Sequence, residues 1–566
     1  MKAALAPTVS HAAAEREARG ETVYRCGNLA YTKRGLVVLF AWMLWGDLCY
    51  TLMEAVVPSI LPLKLRSLES SNWLIGAIMG TLPGVFSTTI CPWVSFKSDR
   101  YRSKWGRRIP FIMWTLPFLT ASLVLIGCSD AIGAWAYRQF FQGSGVRQAA
   151  VVIALLAVFA GLFDLFNMFV GSVYSYLFRD VVPEKALARF MAYFRLIGVL
   201  SSAAFNFFVF KYAESHMREI YLGAAALYGV GFTLMCLKVK ERTYPPFPEQ
   251  VQAPSLKRDL QTFAKESYSI SFYWNIFLDN MLGSAGGCAA VFTIFFYKSM
   301  GLELDLFGKI AAVSGVSIAI CLTFIGHYVD RWHPVRVAAY MAPLVGLGML
   351  NSCVWIWVQG APPPQLFFWA TIVFGLFCCL GVAAFTASGG PRQMELFPAE
   401  RYGQFCGAQA LLVAGMKMGG GVVAGVCIDS LKHVLPDGDC AYRYIFVWQL
   451  GFAALALFFH CRAYRAWKRL GAESGYTPPH KSFNVRKLLA QAPSPGPSVG
   501  GAVNRQCAGL FLLALLGAWV FAAIFLVYFG LFRHEIRNTL VFLVQLILIT
   551  ALFPLYRKLL RFLEAP

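Results

Sequence analysis

Ser98-Asp99-Arg100-Tyr101-Arg102-Ser103-Lys104-Trp105-Gly106-Arg107-Arg108-Ile109-Pro110-Phe111-Ile112 joins two apolar runs. With Lys97 it gathers Arg100, Arg102, Lys104, Arg107 and Arg108 around a single acid, Asp99. The flanking runs, near 73–96 and 109–130, are each long enough to cross the ~30 Å of a bilayer's hydrocarbon as helix, which takes about 20 residues. A short basic connector between two such runs marks the cytoplasmic side, because Lys and Arg are retained there. The stretch therefore orients the chain.

Outward from it, the same pattern repeats. The 566 residues are 58% hydrophobic and 14% charged, against about half and a quarter in soluble domains. The apolar excess falls into fourteen segments, near 36–60, 73–96, 109–130, 149–178, 189–212, 218–238, 271–299, 304–329, 336–358, 365–388, 404–428, 442–462, 507–531 and 538–560. This predicts an all-α polytopic membrane protein. With the N-terminus inside, Lys and Arg outnumber those on the other face about threefold, which places both termini in the cytoplasm and the chain in the cell (inner) membrane. The first 35 residues lack the short apolar core and cleavage site of a signal peptide, so the first span reads as uncleaved.

Polar connectors divide the chain into a cytoplasmic tail (1–35), a six-helix bundle (36–238), a cytoplasmic loop (239–270), a second six-helix bundle (271–462), a linker (463–506) and a terminal hairpin with a short tail (507–566). Tyr244-Pro245-Pro246-Phe247-Pro248 cannot be helical throughout. Ala492-Pro493-Ser494-Pro495-Gly496-Pro497-Ser498 reads as a flexible, partly extended linker. The halves echo each other: Gly326-His327-Tyr328-Val329-Asp330-Arg331 follows the eighth segment as Ser98-Asp99-Arg100 follows the second. Two parallel six-helix repeats are the architecture of major facilitator transporters.

Composition also excludes classes. The net charge of +21 sits in loops without a basic-aromatic recognition module, so no nucleic-acid partner is expected. The 15 Cys are mostly inside apolar runs, where Cys behaves as a small hydrophobe. No metal-ligand spacing, Walker A, HExxH or GxSxG motif occurs, and the chain reads as neither an enzyme nor a cofactor or metal protein.

The run from Ser98 to Ile112 resembles the corresponding loop of the glycoside-pentoside-hexuronide cation symporters and the sucrose transporters. Asp164, Asn167 and Asp180 are similar to a sucrose-transporter pattern, and Lys417 before Met418-Gly419-Gly420-Gly421 resembles the Lys-Gly-Gly of melibiose permease. The resemblance covers roughly 36–462. It implies a major facilitator fold of two six-helix bundles, extended here by a C-terminal hairpin without family counterpart. It also implies symport of a glycoside or disaccharide. Sodium-coupled melibiose permease carries carboxylates on helix two, whereas residues 73–96 hold no Asp or Glu; the departure favours proton coupling. The alternatives are a carrier for another solute, including a lipid, and a non-transporting membrane sensor. The expected partners are a small solute, protons and the bilayer, with the chain working as a monomer and the hairpin available to a partner.

Charges inside spans are costly and face cavities or partners. The candidates are Asp47, Glu54, Asp164, Arg195, Asp279 and Lys417. Asp164, Asn167 and Gly171 share a helical face, which suits a polyol beside a carboxylate. Asp164 is the first choice for proton coupling, and Arg195 is placed to reach it from the next span. The bland reading of that pair is a static ion pair. Asp47 is the second coupling candidate, or a carboxylate capping a broken helix at Gly46. Lys417 neutralises Asp47 or Asp164, or hydrogen-bonds carbonyls beside Gly419. Asp279 and Asn280 are candidates for sugar hydroxyls, and Trp45 for an aromatic platform under a sugar's CH face. Asp180 lies about 24 Å along the helix from Asp164, at the inner surface. It joins Asp99, Arg100, Arg102, Gly106, Arg107, Arg108, Asp330 and Arg331 as a cytoplasmic gate, or as a lipid-binding topology anchor.

Overall fold

A computed structural model describes residues 24–242, 263–479 and 501–564. Fourteen helices among the described residues are long and apolar enough to cross a membrane. Helix is what this composition demands, since hydrocarbon offers no water to a backbone N–H or C=O and each segment must close its own hydrogen bonds. The Pro-rich stretches 244–248 and 492–498 lie outside the described residues. The chain divides into two compact units, Met1–Gln252 and Ala253–Pro566.

The first unit begins with an antiparallel hairpin, β1 (Tyr24–Cys26) and β2 (Leu29–Tyr31). Thr32 then caps span 1 (Lys33–Ser67), its Oγ1 accepting from the Gly35 N–H at 3.1 Å, which satisfies one of the orphan donors of the first turn. Spans 2 to 6 are Asn72–Ile90, Ile109–Gly127, Gln148–Phe178, Arg189–Tyr212 and Met217–Lys238. Span 1 packs on spans 5 and 6, span 4 on spans 2 and 3, and span 3 also on span 6.

Spans 7 to 12 of the second unit are Ser271–Ser299, Leu304–Gly326, Pro334–Ile356, Pro364–Leu396, Tyr402–Val434 and Gly438–Arg469. These five pairings return six spans later. Span 7 packs on spans 11 and 12, span 10 on spans 8 and 9, and span 9 also on span 12. The weak sequence echo is thus matched by a repeated packing pattern within each unit. Spans 13 (Gln506–Phe532) and 14 (Ile536–Leu563) pack on each other, and span 13 also on spans 9 and 10. Their aromatic side chains close around the buried Trp355, with the rings of Phe525 and Phe542 at 5.0 and 5.6 Å.

Two boundaries depart from the sequence reading. The helix of span 2 continues as Leu82–Arg100, so the opening stretch is coil only over 101–108. The helix of span 10 was expected to end near 388, before Gly389-Gly390-Pro391. It runs instead through Pro391 to Leu396. Neighbouring helices in a membrane bundle re-satisfy the groups that a proline frees.

Candidate functional site

At the end of span 2 the basic loop folds onto span 4. Arg107 grips Asp180 with two parallel bonds, Nε to Oδ2 and Nη2 to Oδ1, both 2.8 Å. Arg108 Nε and Arg242 Nη2 reach the same carboxylate at 3.4 Å. Arg108 also donates to Ser98 Oγ and lies 5.0 Å from the Tyr176 ring centre. Asp180 is 1% exposed; a buried carboxylate needs partners of this number and geometry. Glu241, just beyond span 6, accepts from the backbone N–H of Arg108 at 2.8 Å and of Ile109 at 3.3 Å. It thereby caps span 3, where the helix dipole favours an anion. Burial pushes the Glu241 carboxyl above its usual range, opposed by those backbone bonds.

Gly106 sits at φ +105°, and a Cβ there would run into the Glu241 side chain. Both the conformation and the space require glycine. Gly106→Ala is expected to cost about 2 kcal/mol from the backbone alone, plus the cap that Glu241 would lose. A clear fall in the thermal unfolding midpoint in detergent would report it; an unchanged midpoint would count against this account of the loop.

All these contacts lie within the first unit. Asp180 takes an arginine of the loop, as its level suggested, and Arg107 is its closest partner. Arg102 is half-buried and Arg331 exposed, while the side chains of Asp99, Arg100 and Asp330 lie outside the described residues.

Midway along their lengths, spans 1 and 4 bring a second cluster together. Asn167 Nδ2 donates to Glu54 Oε1 at 2.5 Å, and Tyr50 OH donates to the same oxygen at 3.3 Å. Gly171, one turn on from Asn167, makes room for this tyrosine: a Cβ there would stand 2.6 Å from the hydroxyl. Asp164 is half-buried on the same face and has no hydrogen-bond partner among the described residues. One turn back along span 1, Thr51 Oγ1 donates to Asp47 Oδ1 at 3.4 Å. Asp47 is 1% exposed, and its Oδ2 is buried without a hydrogen-bond partner among the described residues. Trp45 is 38% exposed. Arg195 does not complete the cluster; it is exposed on span 5 and has no ion-pair partner among the described residues.

The second unit carries a third cluster. Asp279 Oδ2 on span 7 accepts from Arg392 Nη1 of span 10 and lies the same distance, 2.8 Å, from His460 Nδ1 of span 12. Arg392 Nη1 is also 2.6 Å from His460 Nδ1. A guanidinium only donates and an ionised carboxylate only accepts. His460 Nδ1 can therefore bond to Asp279 when it carries a proton and to Arg392 when it does not. Asn280 Nδ2 is committed to the Ile276 carbonyl at 2.8 Å. Lys417 is exposed on span 11 and has no ion-pair partner among the described residues.

Glu241, Arg242, Arg392 and His460 escaped the sequence reading. The signal for Arg392 was present but masked, because ending span 10 before Pro391 left it in a loop. His460 stood in a span yet was not weighed among the intramembrane charges.

No family model matches the chain. The mouse protein "Membrane-associated transporter protein" is 27% identical over 215 residues, 37% of this chain and 37% of its own length. The match thus spans little over a third of that relative. Among solved structures, the nucleoside transporter NupG aligns over 75% of this chain and 99% of its own, with TM-score 0.55 and 14% identity. A bacterial homologue of the lysosomal transporter Spinster aligns over 76% and 98%, with TM-score 0.56 and 12% identity. A bacterial homologue of the iron transporter ferroportin gives TM-score 0.53, also at 14% identity, over 76% and 99%. The fold is that of the major facilitator transporters. Within it, spans 1–6 and 7–12 are the repeated halves, and spans 13 and 14 stand outside the repeat.

Proposed function

We propose that this chain is a secondary active transporter that couples proton movement to symport of a glycoside or disaccharide by alternating access. The observation that carries the reading is the cluster of spans 1 and 4. Glu54, Asn167 and Tyr50 form a hydrogen-bonded set, with Asp164 one turn away and without a hydrogen bond to any described residue. Carboxylates placed in apolar spans without full compensation are functional groups by default. An acid, an amide and a hydroxyl on facing helices present both acceptors and donors, which is what a polyol requires.

In this mechanism Asp164 and Asp47 take and release the coupling proton, and Asn167 with Glu54 holds sugar hydroxyls. Asp279 with His460 and Arg392 forms a second polar centre in the other half. The loop acts as the inner gate: while Arg107 grips Asp180 the start of span 3 stays tied to the end of the span 4 helix, and its release frees the loop to move. Alternating access is then rocking of one bundle against the other.

Reconstitution into liposomes tests the reading. Radiolabelled sucrose is expected to accumulate when an inward proton gradient is imposed and only to equilibrate without one. Equilibration alone under both conditions would remove proton coupling. Absence of uptake for sucrose, maltose and methyl glucoside alike would favour a carrier of another solute, such as those named for the solved neighbours.

A further inference from the structure

Spans 9, 12 and 14 frame a groove that the transport reading does not use. Span 14 runs antiparallel to span 9 and is tied to it at successive levels. Asn538 exchanges two bonds with the Gln359 backbone, at 2.9 and 3.0 Å. Deeper in, Gln545 Nε2 donates to Asn351 Oδ1 at 2.8 Å. Nearer the other end, Tyr556 OH donates to the Tyr340 carbonyl at 3.0 Å. Span 12 lies along span 9 too, with Arg443 Nη1 donating to the Trp355 carbonyl at 2.8 Å and the Tyr340 and Tyr464 hydroxyls 3.5 Å apart.

Spans 12 and 14 touch at one end. There Lys468 Nζ donates to the Leu563 carbonyl at 3.3 Å, and the Arg465 guanidinium lies 4.1 Å from the Phe562 ring centre. Towards the other end they part, and a cavity of about 940 Å³ opens between them. Leu347 and Val354 of span 9 line its floor, Leu450 of span 12 one wall, and Leu540 and Val544 of span 14 the other. Leu540 and Val544 are each 53% exposed. Arg537 lines the mouth, exposed and without a hydrogen-bond or ion-pair partner among the described residues.

We propose that this groove holds an acyl chain of an anionic phospholipid, with the headgroup phosphate on Arg537. Leu540 and Ile549 both line it; helical rise puts them about 14 Å apart, close to the ~15 Å of one leaflet. An apolar space left empty forfeits dispersion contacts along both walls, and an acyl chain is the apolar filler that a bilayer supplies. A guanidinium matches phosphate in charge and in geometry, and the choline ammonium that offsets this charge in phosphatidylcholine is missing from phosphatidylglycerol. The assignment gives the terminal hairpin a task, since span 14 provides both a wall and the arginine.

The full chain, purified in mild detergent and stripped of lipid, is offered equal amounts of phosphatidylglycerol and phosphatidylcholine with identical acyl chains. Retained lipid is read by native mass spectrometry. The wild type is expected to hold phosphatidylglycerol in roughly tenfold preference, and Arg537→Gln to show about none. Leu540→Trp combined with Val544→Trp fills the groove and should abolish retention of both lipids. Equal retention of the two lipids by wild type and Arg537→Gln overturns the proposal. Undiminished retention by the filled groove does so as well, as does a two-chain species that forms in place of lipid binding.

Discussion

Asp164→Asn is expected to abolish concentrative uptake while leaving facilitated equilibration. Asparagine keeps the size of the side chain and its place one turn from Asn167, but it cannot carry a proton at any working pH. Across a gradient of one pH unit, one coupled proton supplies about 1.4 kcal/mol, enough for roughly tenfold accumulation. In the variant the accumulation ratio should fall to about one. Asp164 makes no hydrogen bond to a described residue, so the substitution removes no structural bond, and the unfolding midpoint should hardly move. Asp47→Asn is the comparison, because Asp47 also has an oxygen without a donor among the described residues. Persistent tenfold accumulation in Asp164→Asn, with collapse in Asp47→Asn, would move the coupling role to span 1. Persistence in both would end the proposal for this cluster.

The other large effect concerns stability and needs no substrate. Arg392 and Asp279 are 9% and 12% exposed along their side chains. Removing either one leaves an uncompensated buried charge, at a cost of about 3–5 kcal/mol. Arg392→Met and Asp279→Leu should each lower the unfolding midpoint sharply. The combination of Asp279→Leu with Arg392→Met should recover much of the loss, since replacing a whole buried pair by apolar groups is often near neutral. His460→Gln should cost less than either, because it leaves the ion pair in place. If the double variant loses as much as the two single losses added together, the residues do not act as a pair, and their closeness in space has no energetic counterpart.

The two clusters differ in how far they could be read from sequence. Asp164, Asn167 and Gly171 lie within two turns of one helix, and helical periodicity puts them on one face before any tertiary contact is known. Their partners Glu54 and Tyr50 stand on another span, and periodicity alone does not choose between spans. Arg392 and Asp279 are 113 residues apart, and His460 and Asp279 181 apart. No local rule brings such residues together. Arg195 shows the converse: its position suggested a reach to Asp164, yet the face it occupies on span 5 leaves it exposed. Glu241 was hidden for another reason. It lies just past a span end, where it reads as an ordinary loop acid until the N-terminus of span 3 is brought against it.

What the sequence by itself determined was the membrane and the helices. In hydrocarbon the backbone must bond to itself, so span number and helical state follow from apolar length alone. The basic loop at 98–112 announced the connector between spans 2 and 3 in the same way, through the cost of moving cations across a bilayer. Only the tertiary structure decided which polar and charged groups pair. It gave Asp180 to Arg107, Asp279 to Arg392 and His460, and Asn167 to Glu54. The physical reason is that hydrophobicity acts on each segment separately and without direction. An ion pair or hydrogen bond needs two atoms within about 3 Å at a favourable angle, and that depends on how helices pack across the whole bundle.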